Sequence, residues 1–303
     1  MKKIVGILLI SLLLTSFAGC SYGGPQTHTV QAVSVSTNIE TVVTERKAAM
    51  TDENKAATNR IKEVDVKTSS GKDGEGTKDK ETKPLVGLTV CIDPGHGILT
   101  KKVKKTEPLA PGSKVMKAAT ASGTTGVVTK VTEESLNLTV SLKLKKVLAD
   151  KGAKVIMVRE THTCNMTNVE RTDFWNKSGA DLTIRIHANG SDSRKASGVL
   201  MMVPGDKYIK DKDLLLKSAK AGEYIMEGVL KNTKTKSAGT IKSTDLTGFN
   251  WSKIPVMLLE MGFMTNPEED RLLNSDSYQN KIVTGIVEGV EKYNNYINDL
   301  KEK

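Results

Sequence analysis

The segment Val90-Cys91-Ile92-Asp93-Pro94-Gly95-His96-Gly97 changes within a few positions from apolar residues to a polar, glycine-rich stretch. Its apolar part, which extends back to Val86, is typical of a strand buried on both faces of a sheet. Glycines on both sides of His96 let backbone or ligand approach closely, and ligand sites in α/β sheets gather where strands end. The segment therefore predicts a strand that delivers His96 to a site at its carboxyl end.

The same kind of pattern continues from Leu85 onward, where short apolar runs alternate with longer amphipathic stretches, as in α/β domains. The stretch after Leu136 alternates with period two, as a strand would, but its length and the Lys151-Gly152 stop signal favour a helix. The predicted strands cover 86–92, 154–159, 182–187, 199–203 and 255–260, and the predicted helices cover 135–151, 168–178, 212–230 and 277–297. We predict one α/β domain over 84–303, with a mixed, mainly parallel sheet flanked by helices on both faces.

Residues 1–20 have the order of an export signal: Lys2 and Lys3, an apolar run, and small residues that end at Cys20. The run is too short to span a bilayer stably, since a membrane helix needs about 20 apolar residues. Residues 17–20, Phe-Ala-Gly-Cys, resemble a bacterial lipobox, with Phe17 in place of the usual leucine. We therefore expect an exported lipoprotein, held by lipidated Cys20 on the outer face of the cell membrane and facing the wall. The alternative is a cleaved signal and a soluble secreted protein.

Residues 21–83 are poor in aromatic residues and rich in Thr, Ser, Lys, Glu and Gly, which predicts a flexible polar tether. The formal net charge of the chain is +10, which together with export favours anionic wall polymers or lipid headgroups as neighbours. Nucleic acid is not an expected partner, because aromatic residues make up 4% of the chain and no nucleic-acid-binding motif is evident. We expect a monomer.

Two further apolar runs also end in polar residues. His187 follows the run that begins at Leu182, and Glu260 follows the run that begins at Ile254, where an unpaired carboxylate would be costly. Taken singly, a histidine at a strand end is more often structural than functional. The repetition suggests a metal site on the rim of one sheet, and two histidines with one carboxylate form an attested set of catalytic zinc ligands.

Four blocks resemble the zinc-dependent N-acetylmuramoyl-L-alanine amidases of the amidase 3 family: residues 90–97, 133–138, 180–189 and 254–266. The resemblance implies that His96, Glu133 and His187 bind Zn²⁺ and that Glu260 is the catalytic base. It also implies the reaction, which is hydrolysis of the amide bond between N-acetylmuramic acid and L-alanine in peptidoglycan by a zinc-activated water. Two alternatives stay open: a zinc peptidase that acts on the peptide stem, and a non-catalytic lipoprotein that binds the wall.

Several neighbours of these residues allow more than one interpretation. Glu134 is next to Glu133, which we rank first on its spacing to Leu138. Asp93 either orients His96, as carboxylates often do for ligating imidazoles, or caps a turn before Pro94. Asn189 either contacts substrate or binds backbone.

Arg185 stands where relatives commonly carry serine, and by strand alternation it shares a face with His187. It could pair with a site carboxylate, contact an acidic substrate group, or add repulsion near the metal.

The long insert between His96 and Glu133 has no clear periodicity, and we interpret it as a substrate-facing flap without an occluding helix. Cys91 and Cys164 could form a disulfide, but Cys91 lies in an apolar run, so buried free thiols are the expectation.

Overall fold

The computed structural model describes residues 83–302. The predicted signal peptide with Cys20, and the tether up to residue 82, lie outside the described residues. The elements are β1 Thr89–Pro94, β2 Thr106–Pro108, β3 Met116–Ala118, α1 Glu133–Asp150, β4 Lys154–Met157, α2 Asn168–Lys177, β5 Leu182–Asn189, β6 Val199–Pro204, α3 Lys212–Thr233, β7 Ser237–Ser243, α4 Thr247–Asn250, β8 Val256–Phe263, α5 Pro267–Leu273 and α6 Asp276–Lys301.

Six of the strands form one sheet in the order β4-β1-β5-β8-β6-β7. Every neighbouring pair is parallel except β6 and β8, which run antiparallel. The predicted mixed, mainly parallel sheet is therefore confirmed. Because β1, β5 and β8 are adjacent and parallel, their carboxyl ends meet at the same edge of the sheet.

Helices cover both faces of this sheet, as predicted. The larger core lies on one face, where residues of α1, α3 and α6 pack against apolar strand residues such as Ile92, Ile184 and Leu259. Residues that alternate with these, such as Cys91 and Leu258, point to the opposite face, where Trp175 of α2 and Phe249 of α4 are fully buried. The alternation along each strand therefore fills two apolar layers.

The predicted helix in the region of Leu136 is confirmed, although its sequence has the period-two pattern of a strand. Leu136, Leu138 and Leu144 are buried, whereas Leu142, which the period-two pattern would also bury, is 39% exposed. Helical geometry turns that position toward solvent.

Several features differ from the sequence-based expectation, among them the short helices α4 and α5, which were not predicted. The first strand begins at Thr89 rather than at residue 86, because residues 84–87 form a turn in which Gly87 has a φ of 88°. Strand β7 was not predicted, since its residues are largely exposed and polar. The short β2–β3 hairpin was not predicted either, and it lies in the insert after His96.

Cys91 and Cys164 are buried free thiols, as expected. Between residues 83 and 302, no helix combines the length and apolar character that a membrane crossing needs.

Candidate metal centre and active-site cleft

Three separate elements bring His96, Glu133 and His187 together at the carboxyl edge of the sheet. His96 follows β1 and has a φ of 60°, Glu133 is the first residue of α1, and His187 lies in β5. One ligand atom from each of the three side chains lies within 4.8 Å of the others. We refer to this group as the His-Glu-His cluster.

The Glu133 carboxylate is the centre of this cluster. Its Oε1 lies 3.0 Å from His96 Nε2 and 3.1 Å from His187 Nδ1. The backbone N–H of Ala188 also donates to Oε1, at 3.2 Å, and that of Thr124 donates to Oε2, at 2.9 Å. Burial raises the pKa of Glu133, but the hydrogen bonds of His187 and His96 outweigh it and hold the pKa well below its usual range. The carboxylate is therefore ionised and fixed in position.

The His187 imidazole is suited to bind a metal ion. Burial lowers the pKa of His187 to about 4, against the opposing effect of Glu133, so its ring is neutral and has a lone pair to offer. His187 Nε2 is buried and has no hydrogen-bond partner among residues 83–302. The ring also lies against Gly95, where a Cβ atom would come within 2.3 Å of it. Two imidazoles and one carboxylate are a donor set that suits a divalent transition-metal ion.

His96 is oriented by a backbone carbonyl and not by Asp93. Its Nδ1 lies 2.8 Å from the carbonyl oxygen of Ala121, which belongs to the insert. A ligating imidazole commonly donates its second N–H to such a group. The suggestion that Asp93 orients His96 is therefore wrong.

Asp93 forms a buried ion-pair group with two arginines. Its Oδ1 accepts from Arg171 Nη1 at 2.6 Å and its Oδ2 from Arg185 Nε at 2.9 Å. Burial raises the pKa of Asp93, but Arg171 and Arg185 lower it to about 2. The alternative that Asp93 caps a turn is also wrong, because both carboxylate oxygens are taken up by guanidinium groups.

Sequence analysis missed two arginines that hold the loop after β1. Arg171 also donates to the carbonyl oxygens of Pro94 and His96. Arg159 donates to those of Pro94 and Gly95, at 3.0 and 2.8 Å. Neither arginine lies in a recognisable motif, so only the fold reveals that both fix the position of His96.

Glu134 is separate from the cluster. Its Oε2 lies 3.1 Å from Nδ1 of His162, which is exposed. The structure thus brings Glu133, and not its neighbour, to the two histidines. Asn189 was predicted either to contact substrate or to bind backbone. The structure shows the second, since the backbone N–H of Gly190 donates to Asn189 Oδ1 at 2.8 Å.

Glu260 lies beside the cluster on β8, where it is the register partner of His187. Burial raises its pKa to about 8, the charge of Glu133 adds to the rise, and Arg185 opposes it. Glu260 Oε2 is buried and without a hydrogen-bond partner among the described residues. A strongly perturbed carboxyl group in a cleft is a candidate for acid–base chemistry.

A cleft of about 640 Å³ opens over these side chains and contains the cluster, Arg185 and Glu260 in its lining. The insert contributes residues of the β3 end and the segment after it, including Lys117 and Ala121. Asp245 and Thr247 also line the cleft, and Lys117 Nζ donates to Asp245 Oδ2 at 2.8 Å. The insert is thus part of the cleft wall, and it contains no helix in the structure.

Several known proteins resemble this chain. A germination-specific N-acetylmuramoyl-L-alanine amidase of Bacillus subtilis (strain 168) is 29% identical over 225 residues, which cover 69% of this chain and 81% of that protein. An N-acetylmuramoyl-L-alanine amidase structure from Clostridium difficile 630 superposes with a TM-score of 0.56 at 25% identity, over 68% of this chain and 96% of the other. The Ami1 amidase of Mycobacterium smegmatis shares the fold, with a TM-score of 0.61 at 20% identity, over 70% and 99% of the two chains.

The family described as N-acetylmuramoyl-L-alanine amidase, Amidase_3, matches residues 90–292. This range begins in β1 and ends within α6, so it contains the whole sheet edge with the His-Glu-His cluster and Glu260. The chain belongs to the N-acetylmuramoyl-L-alanine amidase family.

Proposed function

We propose that this protein is a zinc-dependent amidase that hydrolyses the bond between N-acetylmuramic acid and L-alanine in peptidoglycan. The observation that carries the proposal is the meeting of the His-Glu-His cluster with Glu260 in one cleft, where Glu260 Oε2 is buried and has no hydrogen-bond partner among the described residues. Family membership supports the reaction and the wall substrate.

The chain would hold Zn²⁺ with His96, Glu133 and His187. The donor types fit this ion, and the neutral, buried ring of His187 keeps a lone pair available. When bound, the ion supplies a Lewis acid that polarises the scissile carbonyl group and makes a water molecule more acidic. The contacts of Thr124 and Ala188 with Glu133, and of Ala121 with His96, keep the donor atoms in place before the ion arrives.

Glu260 would move the proton. Its carboxylate accepts a proton from the attacking water and passes it to the amine nitrogen of L-alanine as the C–N bond breaks. Part of the rise in its pKa comes from the charge of Glu133. Zn²⁺ held by Glu133 would offset that charge and so lower the pKa of Glu260, which would favour the ionised carboxylate that accepts a proton.

Digestion of purified peptidoglycan followed by mass spectrometry of the products tests this function. We expect glycan strands that have lost their peptides and stems with a free L-alanine amino group. Fragments cut within the stem would instead identify a peptidase. Binding to walls without any release would identify a non-catalytic wall-binding protein.

We also propose export and membrane attachment through Cys20, on the strength of the signal-like residues 1–20 and the wall substrate of the family. Cells fed a fatty-acid analogue should label the wild-type protein and not Cys20→Ala. Equal labelling of both proteins would contradict the anchor.

A further inference from the structure

Two of the arginines that line the cleft, Arg171 and Arg185, share a single carboxylate partner. Asp93 is fully buried, and its carboxylate is shared by Arg171 and Arg185, whose side chains are each only 7% exposed. One carboxylate balances one of the two guanidinium groups. Glu260 lies in the same cleft but forms no ion pair with either arginine among the described residues, so a guanidinium group here keeps hydrogen-bonding capacity for a further anion.

The two arginines use their nitrogens differently. Arg171 donates through both terminal nitrogens, to Asp93 and to the carbonyl oxygens of Pro94 and His96. Arg185 donates only through Nε, and its Nη1 and Nη2 have no hydrogen-bond partner within residues 83–302. No ion pair joins Arg185 to Glu260 in that part of the chain. The free edge of Arg185 is therefore the unused half of a planar fork that matches a carboxylate.

Arg185 is also held where a bound substrate can reach it. It lines the cleft together with His187 and Glu260. Its Cζ lies 5.7 Å from the centre of the Trp175 ring. A Cβ atom on Gly248 would come within 2.7 Å of Nη1, so the absence of a side chain at that position leaves room for the guanidinium group.

The spacing of residues along β5 indicates which group of the substrate would contact the free Nη1 and Nη2 atoms of Arg185. Arg185 lies two residues before His187, and two strand residues rise about 6.6 Å. An extended peptide covers about 7 Å in two residues. A carboxyl group on the residue that follows L-alanine therefore lies about as far from the scissile amide as Arg185 lies from the cluster.

We propose that Arg185 forms a carboxylate subsite that recognises a free α-carboxylate on the second residue of the departing peptide and discriminates against its uncharged carboxamide. This inference rests on the proposed function, because it assumes that the peptide leaves across β5.

Two matched substrates test the subsite: N-acetylmuramoyl-L-alanyl-D-glutamate with a free α-carboxyl group, and the same compound with an α-carboxamide. The wild-type protein should cut the free acid with a kcat/KM roughly 10- to 100-fold higher, mainly through a lower KM, since hydrogen bonds to charged groups contribute this much. In Arg185→Gln the ratio of the two kcat/KM values should fall close to one, whatever the absolute rates. Arg185→Lys, which keeps the charge but loses the fork, should retain an intermediate ratio.

Arg271→Gln is the matched control, because Arg271 is exposed and, among the described residues, its side chain donates only to Pro267 O of its own helix. It should keep the wild-type ratio. An equal rate of the wild type on both substrates, or a preference that survives in folded Arg185→Gln, would overturn the proposal.

Calorimetry can test the subsite without turnover and without any variant. It measures the affinity of the wild type for the two product dipeptides, L-alanyl-D-glutamate and its α-carboxamide. Tighter binding of the free acid by the wild type is expected, and equal binding would contradict the subsite. If the wild type cuts neither substrate, the proposed function is contradicted. The affinities for the two dipeptides would still show whether Arg185 forms a carboxylate subsite.

Discussion

At the scale of single residues, the group formed by Asp93, Arg171 and Arg185 shows why a motif alone does not define a site. Asp93 belongs to the Asp-Pro-Gly-His-Gly block, and its proximity to His96 in sequence suggested a direct contact. Its partners lie 78 and 92 residues away along the chain. A sequence alone gives no signal for such pairings, because they depend on how α2 and β5 pack beside β1.

The lowered pKa of Asp93 predicts a specific dependence of stability on pH. Its value falls from 3.8 to about 2, since Arg171 and Arg185 outweigh the effect of burial. The stabilisation is therefore complete above pH 3.8 and is lost as the pH falls toward 2. It amounts to about 2 kcal/mol at neutral pH.

Asp93→Asn removes this titration while it keeps the shape of the side chain. The difference in unfolding free energy between wild type and variant, measured by urea denaturation, should shrink by about 1 kcal/mol between pH 5 and pH 3. A difference that stays constant over this range would show that Asp93 is not held ionised by the arginines.

At the scale of elements, the sequence predicted those strands whose formation depends on the burial of apolar residues. The sequence predicts strands β1, β5 and β8 correctly because they contain apolar runs that are buried in the sheet. Strand β7 was not predicted because it is an edge strand made largely of exposed polar residues. The β2–β3 hairpin was not predicted because each of its strands has only three residues. Hydrogen bonding rather than burial defines these elements, so hydrophobic periodicity does not reveal them.

The insert after His96 carries a patch of exposed lysines, namely Lys101, Lys102, Lys104 and Lys105. None of them forms an ion pair within the part of the chain that the structure describes. The segment that follows lies on the cleft wall, where Lys117 forms an ion pair with Asp245 and so adds little free positive charge. On the strength of these four lysines we propose that anionic wall polymers bind to the insert.

Replacement of these four lysines with glutamine should lower the affinity for walls that bear anionic polymers by about tenfold or more at low ionic strength, because the local positive field is lost. The difference should disappear near 1 M salt, where charges are screened within about 3 Å. Sedimentation with isolated walls measures both effects.

The matched control replaces lysines that already form ion pairs on helices α1, α3 and α6, which are Lys146, Lys220, Lys231 and Lys292. The change in net charge is the same, so an equal loss of affinity in both variants would contradict a specific role for the insert.

At the scale of the whole molecule, the buried residues of the larger core come from nearly the whole described chain, from Leu85 to Tyr293. The start of the described chain is part of this unit, since Leu85 is fully buried and Asn294 Nδ2 donates to Pro84 O at 3.1 Å. Residues from Pro84 onward therefore belong to the packed domain, and the domain boundary at residue 84 stays a prediction.

A truncated protein that starts at Lys83 should fold and cut purified walls at a rate close to that of the full exported chain. A second truncation that starts at Thr89 loses Leu85 and Leu88, which are 0% and 5% exposed. It should be less stable by several kcal/mol, because each buried leucine contributes about 2 to 5 kcal/mol. Thermal unfolding and wall turbidity measure the two effects. Loss of activity in the first truncated protein would show that the tether contributes to the chemistry.

The central claim is that Glu133 holds a metal ion and Glu260 moves a proton within one cleft. The most direct measurement is the zinc content and the rate of wall hydrolysis of Glu133→Gln and Glu260→Gln, each compared with the wild type. In Glu133→Gln, zinc and activity should fall together, because an anionic donor becomes a neutral amide. In Glu260→Gln, zinc should stay close to one per chain while the rate falls by about 10² to 10⁴, the usual contribution of a positioned acid–base group. An empty site in Glu260→Gln, together with retained zinc in Glu133→Gln, would contradict the account.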